Sequence, residues 1–280
     1  MMMQYSNDKR MLEYGLMRSY PGIFCFSTTR HGGYSAGEYA SFNCNGFCGD
    51  SPENVQKNRE LLCSLLPGKK KELIIPHQVH RTEVRIVSRE FLSHPETERA
   101  SLLEGVDALV TDVAGECLCI STADCVPVLC FDVKHRAVAA IHAGWRGTVA
   151  RIVAKTLEVM SCTYGTQGKD VIACIGPSIS LEAFEIGDEI YDCFERNGFE
   201  MQRIASRRDK WHIDLWEANR MQLLDFGVLP SNIEVSGICT WKENADFFSA
   251  RRQGIASGRI LSGIMLEDVW HCLPFCRLLV

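Results

Sequence analysis

The sequence predicts an α/β fold with mixed rather than purely parallel sheets. Short apolar runs alternate with segments of helical periodicity along most of the chain, and in the centre several strand-like runs follow one another without a helix between them. There is no internal repeat, no low-complexity linker and no composition break, so the 280 residues read as one domain spanning 1–280.

Ile23-Phe24-Cys25-Phe26-Ser27 reads as the first clear strand, and Thr28 to Gly33 as the loop leaving it. Ser35 to Asn45 has no period and reads as irregular. Ser51 and Pro52 open a helix with Ser51 as N-cap, and Pro67-Gly68 ends it. Leu73-Ile74-Ile75 and Thr82 to Val87 read as strands flanking Pro76-His77-Gln78-Val79-His80. Strand alternation would put only one of His77 and His80 into a site. His94 to Glu104 is polar and disfavoured for regular structure. Val106 to Thr111, Cys117 to Thr122, Val128 to Phe131 and Ala137 to Ile141 are strands. A helix starts at Thr148 and stops at Gly165, Val171 to Ile175 is a buried strand, and Ile186-Gly187-Asp188 begins a helix reaching Asn197-Gly198. Asp214 to Glu217 has capping-box spacing, Ile233 to Cys239 is a strand, Phe247 to Gly254 is loop-rich, and Ile260 to Leu266 is the last strand.

Composition narrows the function. A 46% hydrophobic and 23% charged chain of net charge −5 is an ordinary globular sequence without the clustered basic surface a nucleic-acid or anionic-membrane partner needs. No run approaches the roughly 20 apolar residues of a membrane span. Met1 to Tyr20 lacks the apolar core of a signal peptide, which suggests a cytoplasmic protein. The 14 cysteines are scattered through strand-like and helix-like runs, as reduced, mostly buried thiols would be. Cys44 with Cys48, and Cys272 with Cys276, lack the spacing of a zinc knuckle. The expected partner is a small molecule.

The chemistry-bearing candidates sit at strand ends. His80, Cys125 and His142 each close a strand-like run or open the turn after it, and a catalytic zinc takes three N or S ligands from such rigid places. Their separations match no short zinc motif, so each remains weighed against a structural role. Gly144 and Gly147 would let the backbone turn sharply, and the helix start at Thr148 offers N–H groups to an anion. Asp124 is a candidate general base or a local backbone acceptor. Arg30, Arg146, Arg251 and Arg252 follow strands or glycines and are candidates for holding a phosphate. Trp145 is a candidate to stack on a base, core packing being the alternative, and a Cys–His nucleophilic pair is the unspecific alternative to a metal. Neither a P-loop nor a Rossmann glycine pattern is present.

Several blocks, taken together and in order, resemble one family: Phe26 to Ser35, Asn43, Gly49-Asp50, Asn58-Arg59, Gln78-Val79-His80, Thr122 to Val128, His142 to Gly147, Cys174 to Pro177 and Phe248 to Arg252. They are similar to the YfiH or laccase-domain family, once described as multicopper polyphenol oxidases and now as purine nucleoside phosphorylases, from about Phe26 to Gly258. The resemblance implies a single domain with mixed β-sheets sandwiched between helices (α/β/β/α). It implies zinc, with copper as the alternative, on His80, Cys125 and His142, and catalytic work by Asp124, Cys125 and His142. Arg30, Asn43, Arg146 and Arg251 would bind substrate or phosphate. The implied activities are phosphorolysis of adenosine, inosine, guanosine and methylthioadenosine, and hydrolytic deamination of adenosine. The protein would act as a monomer on purine nucleosides and phosphate. Copper-dependent polyphenol oxidation, editing of cell-wall peptides and a non-enzymatic zinc module are the competing readings. Two positions depart from the family: Arg81 stands where glycine is usual and Ala250 where tyrosine is usual. Trp270 to Val280 lies outside the resemblance.

Overall fold

Two six-stranded mixed sheets, laid face to face, put three apolar layers through the molecule. The computed structural model describes residues 3–68 and 72–267; the tail from Trp270, with Cys272 and Cys276, lies outside the described residues. The first sheet runs, in spatial order, Gln4–Tyr5, Met11–Glu13, Ile23–Thr28, Ile260–Leu266, Glu116–Thr122 and Glu72–Ile74, and its last pair alone is parallel. The second runs Ile233–Val235, Val171–Ile175, Val126–Asp132, Ala137–Ala143, Ala108–Thr111 and Val84–Ile86, parallel at both edges and antiparallel in the middle. A small third sheet of Glu185–Ile186, Trp211–Ile213 and Ala205–Arg207 has strands too short for a periodic signal.

Side-chain alternation assigns the layers. From the Ala137–Ala143 strand, Ala137, Ala139 and Ile141 pack toward Val153, Leu157 and Met160 of the Ile152–Tyr164 helix. Val138 and Ala140 face the other way, joining Leu118, Ile120 and Ile264 of the first sheet. Such double-sided burial explains why these strands are apolar at every position. On the far side of the first sheet, Phe26, Cys117, Cys119 and Leu261 bury against Leu62 of the Pro52–Leu65 helix. The result is the expected α/β/β/α stack. The same alternation sends His142 to the inter-sheet face at the end of its strand.

Local readings were overturned where a cap or a short element decided the outcome. The polar stretch His94 to Glu104 holds a helix, Glu96–Leu102, that starts after Pro95 without a side-chain cap; just before it the Arg89–Ser93 helix is capped by Ser88, whose Oγ accepts from Phe91 N at 3.2 Å, and anchored by buried Phe91. Ser51 precedes its helix but makes no side-chain cap. The helix expected from Thr148 begins at Trp145 and is broken at Arg151, whose φ of 63° separates Trp145–Val149 from Ile152–Tyr164. Asp214 does accept from Glu217 N, as the capping-box spacing suggests, yet Glu217 turns its carboxylate to Arg203. The strand from Ile233 ends at Val235, and the loop-rich segment holds a turn of helix, Ala250–Gln253.

Candidate metal centre

One buried carboxylate organises the site. Asp107 enters the Ala108–Thr111 strand beside the end of Ala137–Ala143, where its carbonyl accepts from His142 N at 2.8 Å. Its Oδ1 accepts from His142 Nδ1 at 2.8 Å and from His80 N at 2.9 Å, while Oδ2 accepts from Arg81 N at 2.7 Å. With Nδ1–H given to the carboxylate, His142 keeps Nε2 as its lone-pair donor. The same carboxylate gathers the turn that carries His80. That residue has a φ of 62°, a left-handed conformation costing about 1–3 kcal/mol, which the charged hydrogen bonds offset. Residues 76–81 are therefore a loop, strand alternation does not apply to them, and both His77 and His80 line the same cavity.

Cys125 comes from the turn between Glu116–Thr122 and Val126–Asp132. The donor atoms of His80, Cys125 and His142 all lie within 4.8 Å of one another, and the two imidazole rings meet edge-on with centroids 4.7 Å apart. Among the described residues this is the one such His/Cys/Asp/Glu group. Gly144 closes the cradle. A Cβ there would stand 3.0 Å from both Cys125 Sγ and His80 Cδ2, so its role is close approach rather than a turn requiring positive φ. Two nitrogens and a thiolate with a carboxylate behind one histidine suit zinc, and the set leaves room for a non-protein ligand.

Charge is already arranged for a cation. Burial opposes ionisation of Cys125, but the facing His142 and His80 rings bring its thiol down to about 6. Burial likewise opposes protonation of His142, yet Cys125 and Asp107 raise it to about 9. Asp107 is held below the usual carboxylate range by His142 and the backbone N–H groups, against the effect of its own burial.

The triad opens into a cavity of about 350 Å³. None of the other expected site residues lines it. Arg30 spends its guanidinium on the carbonyls of Ala40 and Asn244, at 2.9 and 2.8 Å. Asn43 is buried, bonded to Asp50 and accepting from Arg259 N. Arg146 is exposed and lies over the Trp145 ring, which is packed on the core. Arg251 borders a separate cavity with His212 and Trp241. Asp124 is no free base: Oδ1 accepts from Thr240 and Ser249 hydroxyls and Oδ2 from Arg251 N, each at 2.7 Å. It ties the loop after residue 239 to the turn carrying Cys125. Thr148 is not a helix start but lies inside the Trp145–Val149 turn, where its N–H donates to Gly144 O at 2.8 Å, and its hydroxyl is buried against Asn219.

Sequence reasoning missed three participants. Asp107 did leave a signal, a lone acid inside the apolar run Val106 to Val110. Arg259 lines the cavity but sits in an unpatterned loop. Gln78 clamps Ser121 by exchanging hydrogen bonds with its N and O, at 2.7 and 2.9 Å, a pairing visible only once the first sheet is assembled.

Comparison with known proteins places these features in context. A family model described as multi-copper polyphenol oxidoreductase laccase matches residues 24–267. A purine nucleoside phosphorylase of Bacteroides thetaiotaomicron is 55% identical over 269 residues, covering 95% of this chain and 100% of the relative. Adenosine deaminase RL5, from an unknown prokaryotic organism, is 39% identical over 250 residues, covering 88% and 95%. The crystal structure of YlmD from Geobacillus stearothermophilus superimposes with a TM-score of 0.86 at 31% identity, covering 95% of this chain and 99% of that one.

Proposed function

The chain belongs to the multi-copper polyphenol oxidoreductase laccase family, and from that premise we propose that it is an enzyme processing purine nucleosides at a zinc held by His80, Cys125 and His142. Its reactions are phosphorolysis of adenosine, inosine, guanosine and methylthioadenosine, and hydrolytic deamination of adenosine. The observation that carries the reading is the convergence of two histidines and a thiol, with Asp107 behind them, at a cavity whose 350 Å³ suits a nucleoside. The relatives named for these two activities support it.

Bound zinc would supply Lewis-acid polarisation of a substrate oxygen or nitrogen. Asp107 holds the Nδ1 proton of His142, which fixes the tautomer and the direction of Nε2. Arg259 is the guanidinium at the cavity wall, held by the carbonyls of Ser257, Gly258 and Ile255, at 2.6, 3.0 and 2.9 Å. Its preorganised charge would bind the phosphate that attacks C1′ of the ribose. Asp124, through Arg251 N and Ser249, keeps the loop leading to Arg259 in place.

Among the described residues a single three-donor group supports one metal rather than the several coppers of a polyphenol oxidase. Outside the triad, His31, His94 and His135 pair with Asp246, Glu98 and Asp132. Among the described residues no helix is long and apolar enough to cross a membrane. Free thiols throughout the described residues support a reducing compartment such as the cytoplasm, and we read the chain as a single-domain monomer. The test is direct. Zinc-loaded protein with adenosine and phosphate should yield adenine and ribose 1-phosphate, and without phosphate, inosine; absence of both products rejects the reading.

A further inference from the structure

Phe47 and His77 have no part in the mechanism so far, yet they form a stacked pair in the wall of the metal-site cavity, centroids 4.5 Å apart and planes inclined by 23°. Both also border a neighbouring cavity of about 310 Å³, so the pair is the partition between the two.

His77 is held from three directions. Its N–H donates to Leu103 O at 3.1 Å, its carbonyl accepts from Gly105 N at 2.9 Å, and its Nδ1 lies 2.7 Å from Glu104 Oε1. With Nδ1–H given to the Glu104 carboxylate, Nε2 is the polar atom left on the ring. Phe47 is anchored through its N–H to Asn45 Oδ1, but the residue is 55% exposed. Ile255, 85% exposed, lines the same cavity from another loop. The two loops are joined where Asn43 Oδ1 accepts from Arg259 N at 3.0 Å. A single exposed apolar residue is ordinary; two at the mouth of one cavity, one of them already stacked on a fixed imidazole, form a surface that a flat apolar ring would cover.

We propose that the Phe47–His77 pair is the purine-base subsite: the base continues the stack on the exposed Phe47 ring, which His77, fixed by Glu104, supports from behind. This rests on the purine-nucleoside reading above. Charge separates the subsite from the place of phosphate. Glu104 sits directly on His77 and disfavours an anion there, whereas Arg259 supplies the cationic wall. Arg59 and the Arg99–Glu72 ion pair flank the partition from the second cavity. The base thus lies toward the Asn45–Cys48 loop and the phosphate toward Arg259.

The test uses zinc-loaded full-length protein and two readouts, calorimetric binding of hypoxanthine and the separate KM values for inosine and phosphate. Phe47→Ala should weaken hypoxanthine binding about tenfold and raise the inosine KM similarly. The phosphate KM should move less than about twofold, and Phe47→Trp should restore binding. His77→Phe keeps a supporting ring but loses the Glu104 bond that fixes it, and should fall between wild type and Phe47→Ala. Zinc content of each variant guards against a folding defect. The proposal is overturned if wild type binds hypoxanthine and both Phe47→Ala and His77→Phe bind it equally well, or if Phe47→Ala acts on the phosphate KM instead. Wild type that neither binds hypoxanthine nor cleaves inosine would overturn the purine reading itself, and the subsite with it.

Discussion

Replacing Asp107 with asparagine separates the work of the carboxylate from the shape of the pocket. Oδ1 serves His142 Nδ1 and His80 N; Oδ2 serves Arg81 N and, at 3.3 Å, Val79 N. An amide has one oxygen, so whichever way it is placed, two N–H donors face an NH2 group inside a site with no exposed carboxylate surface. An unmet buried donor costs about 1–3 kcal/mol, which puts the folding cost of Asp107→Asn, with two of them, at about 2–6 kcal/mol. The metal suffers separately, because loss of such a carboxylate–histidine contact lowers affinity by about 10–100-fold. Competition for zinc against a chromophoric chelator measures this, with circular dichroism confirming the fold. A variant that stays folded and holds zinc within twofold of wild type would refute the claim that Asp107 orients His142 and the His80 turn.

Other substitutions probe the remaining parts of the site. Gly144→Ala drives a Cβ to 3.0 Å from Cys125 Sγ and His80 Cδ2, and should cost about 1–3 kcal/mol of stability by thermal melt together with loss of stoichiometric zinc. Zinc uptake should be proton-linked. Between the Cys125 value of about 6 and the His142 value of about 9 the thiolate is present and the imidazolium must give up its proton, so log affinity should rise about 1 per pH unit. Below about 6 the thiol is protonated too and the slope should steepen, whereas a flat dependence would contradict the thiolate–imidazolium arrangement. Asp124→Asn should keep its zinc but melt earlier, by about 1–3 kcal/mol, since it unpins Thr240, Ser249 and Arg251; loss of zinc without loss of stability would restore a direct role at the metal. Arg259→Gln should raise the phosphate KM about tenfold or more, and an unchanged value would remove Arg259 from the phosphate site.

Legibility in the sequence followed how locally each feature is determined. The apolar strands of the two sheets were readable because both their faces are buried, and so was the mixed pairing, since the central strands follow one another without helices. The short strands at 4–5, 11–13, 185–186, 205–207 and 211–213 carry too few residues for a period, the Arg89–Ser93 helix depends on the Ser88 cap and one buried phenylalanine, and Glu96–Leu102 buries no residue that would give it an apolar face. At the site, His80, Cys125 and His142 were visible as strand-end residues, but their separations of 45 and 17 positions carry no metal signature, and the family resemblance singled them out. What brings the two histidines together is Asp107, a lone acid in an apolar run whose partners are set only once the second sheet is assembled. The expected arginines lie away from the cavity for the opposite reason. Arg30, Arg146 and Arg251 sit next to strands or glycines in sequence, yet carbonyls, an aromatic ring and Asp124 hold them away from the cavity, whereas the carbonyls that hold Arg259 keep it at the cavity wall. Arg259 reaches the cavity because its loop is folded onto Asn43, more than 200 positions away.

The central claim is that the three-residue centre holds a zinc on which nucleoside cleavage depends. Its most direct test is zinc content and adenosine phosphorolysis measured on the same preparations of wild type and His142→Ala. Wild type should carry stoichiometric zinc and release adenine only when phosphate is present, and His142→Ala should have lost both the metal and the reaction. A His142→Ala protein that keeps its zinc and still converts adenosine and phosphate to adenine would contradict the account.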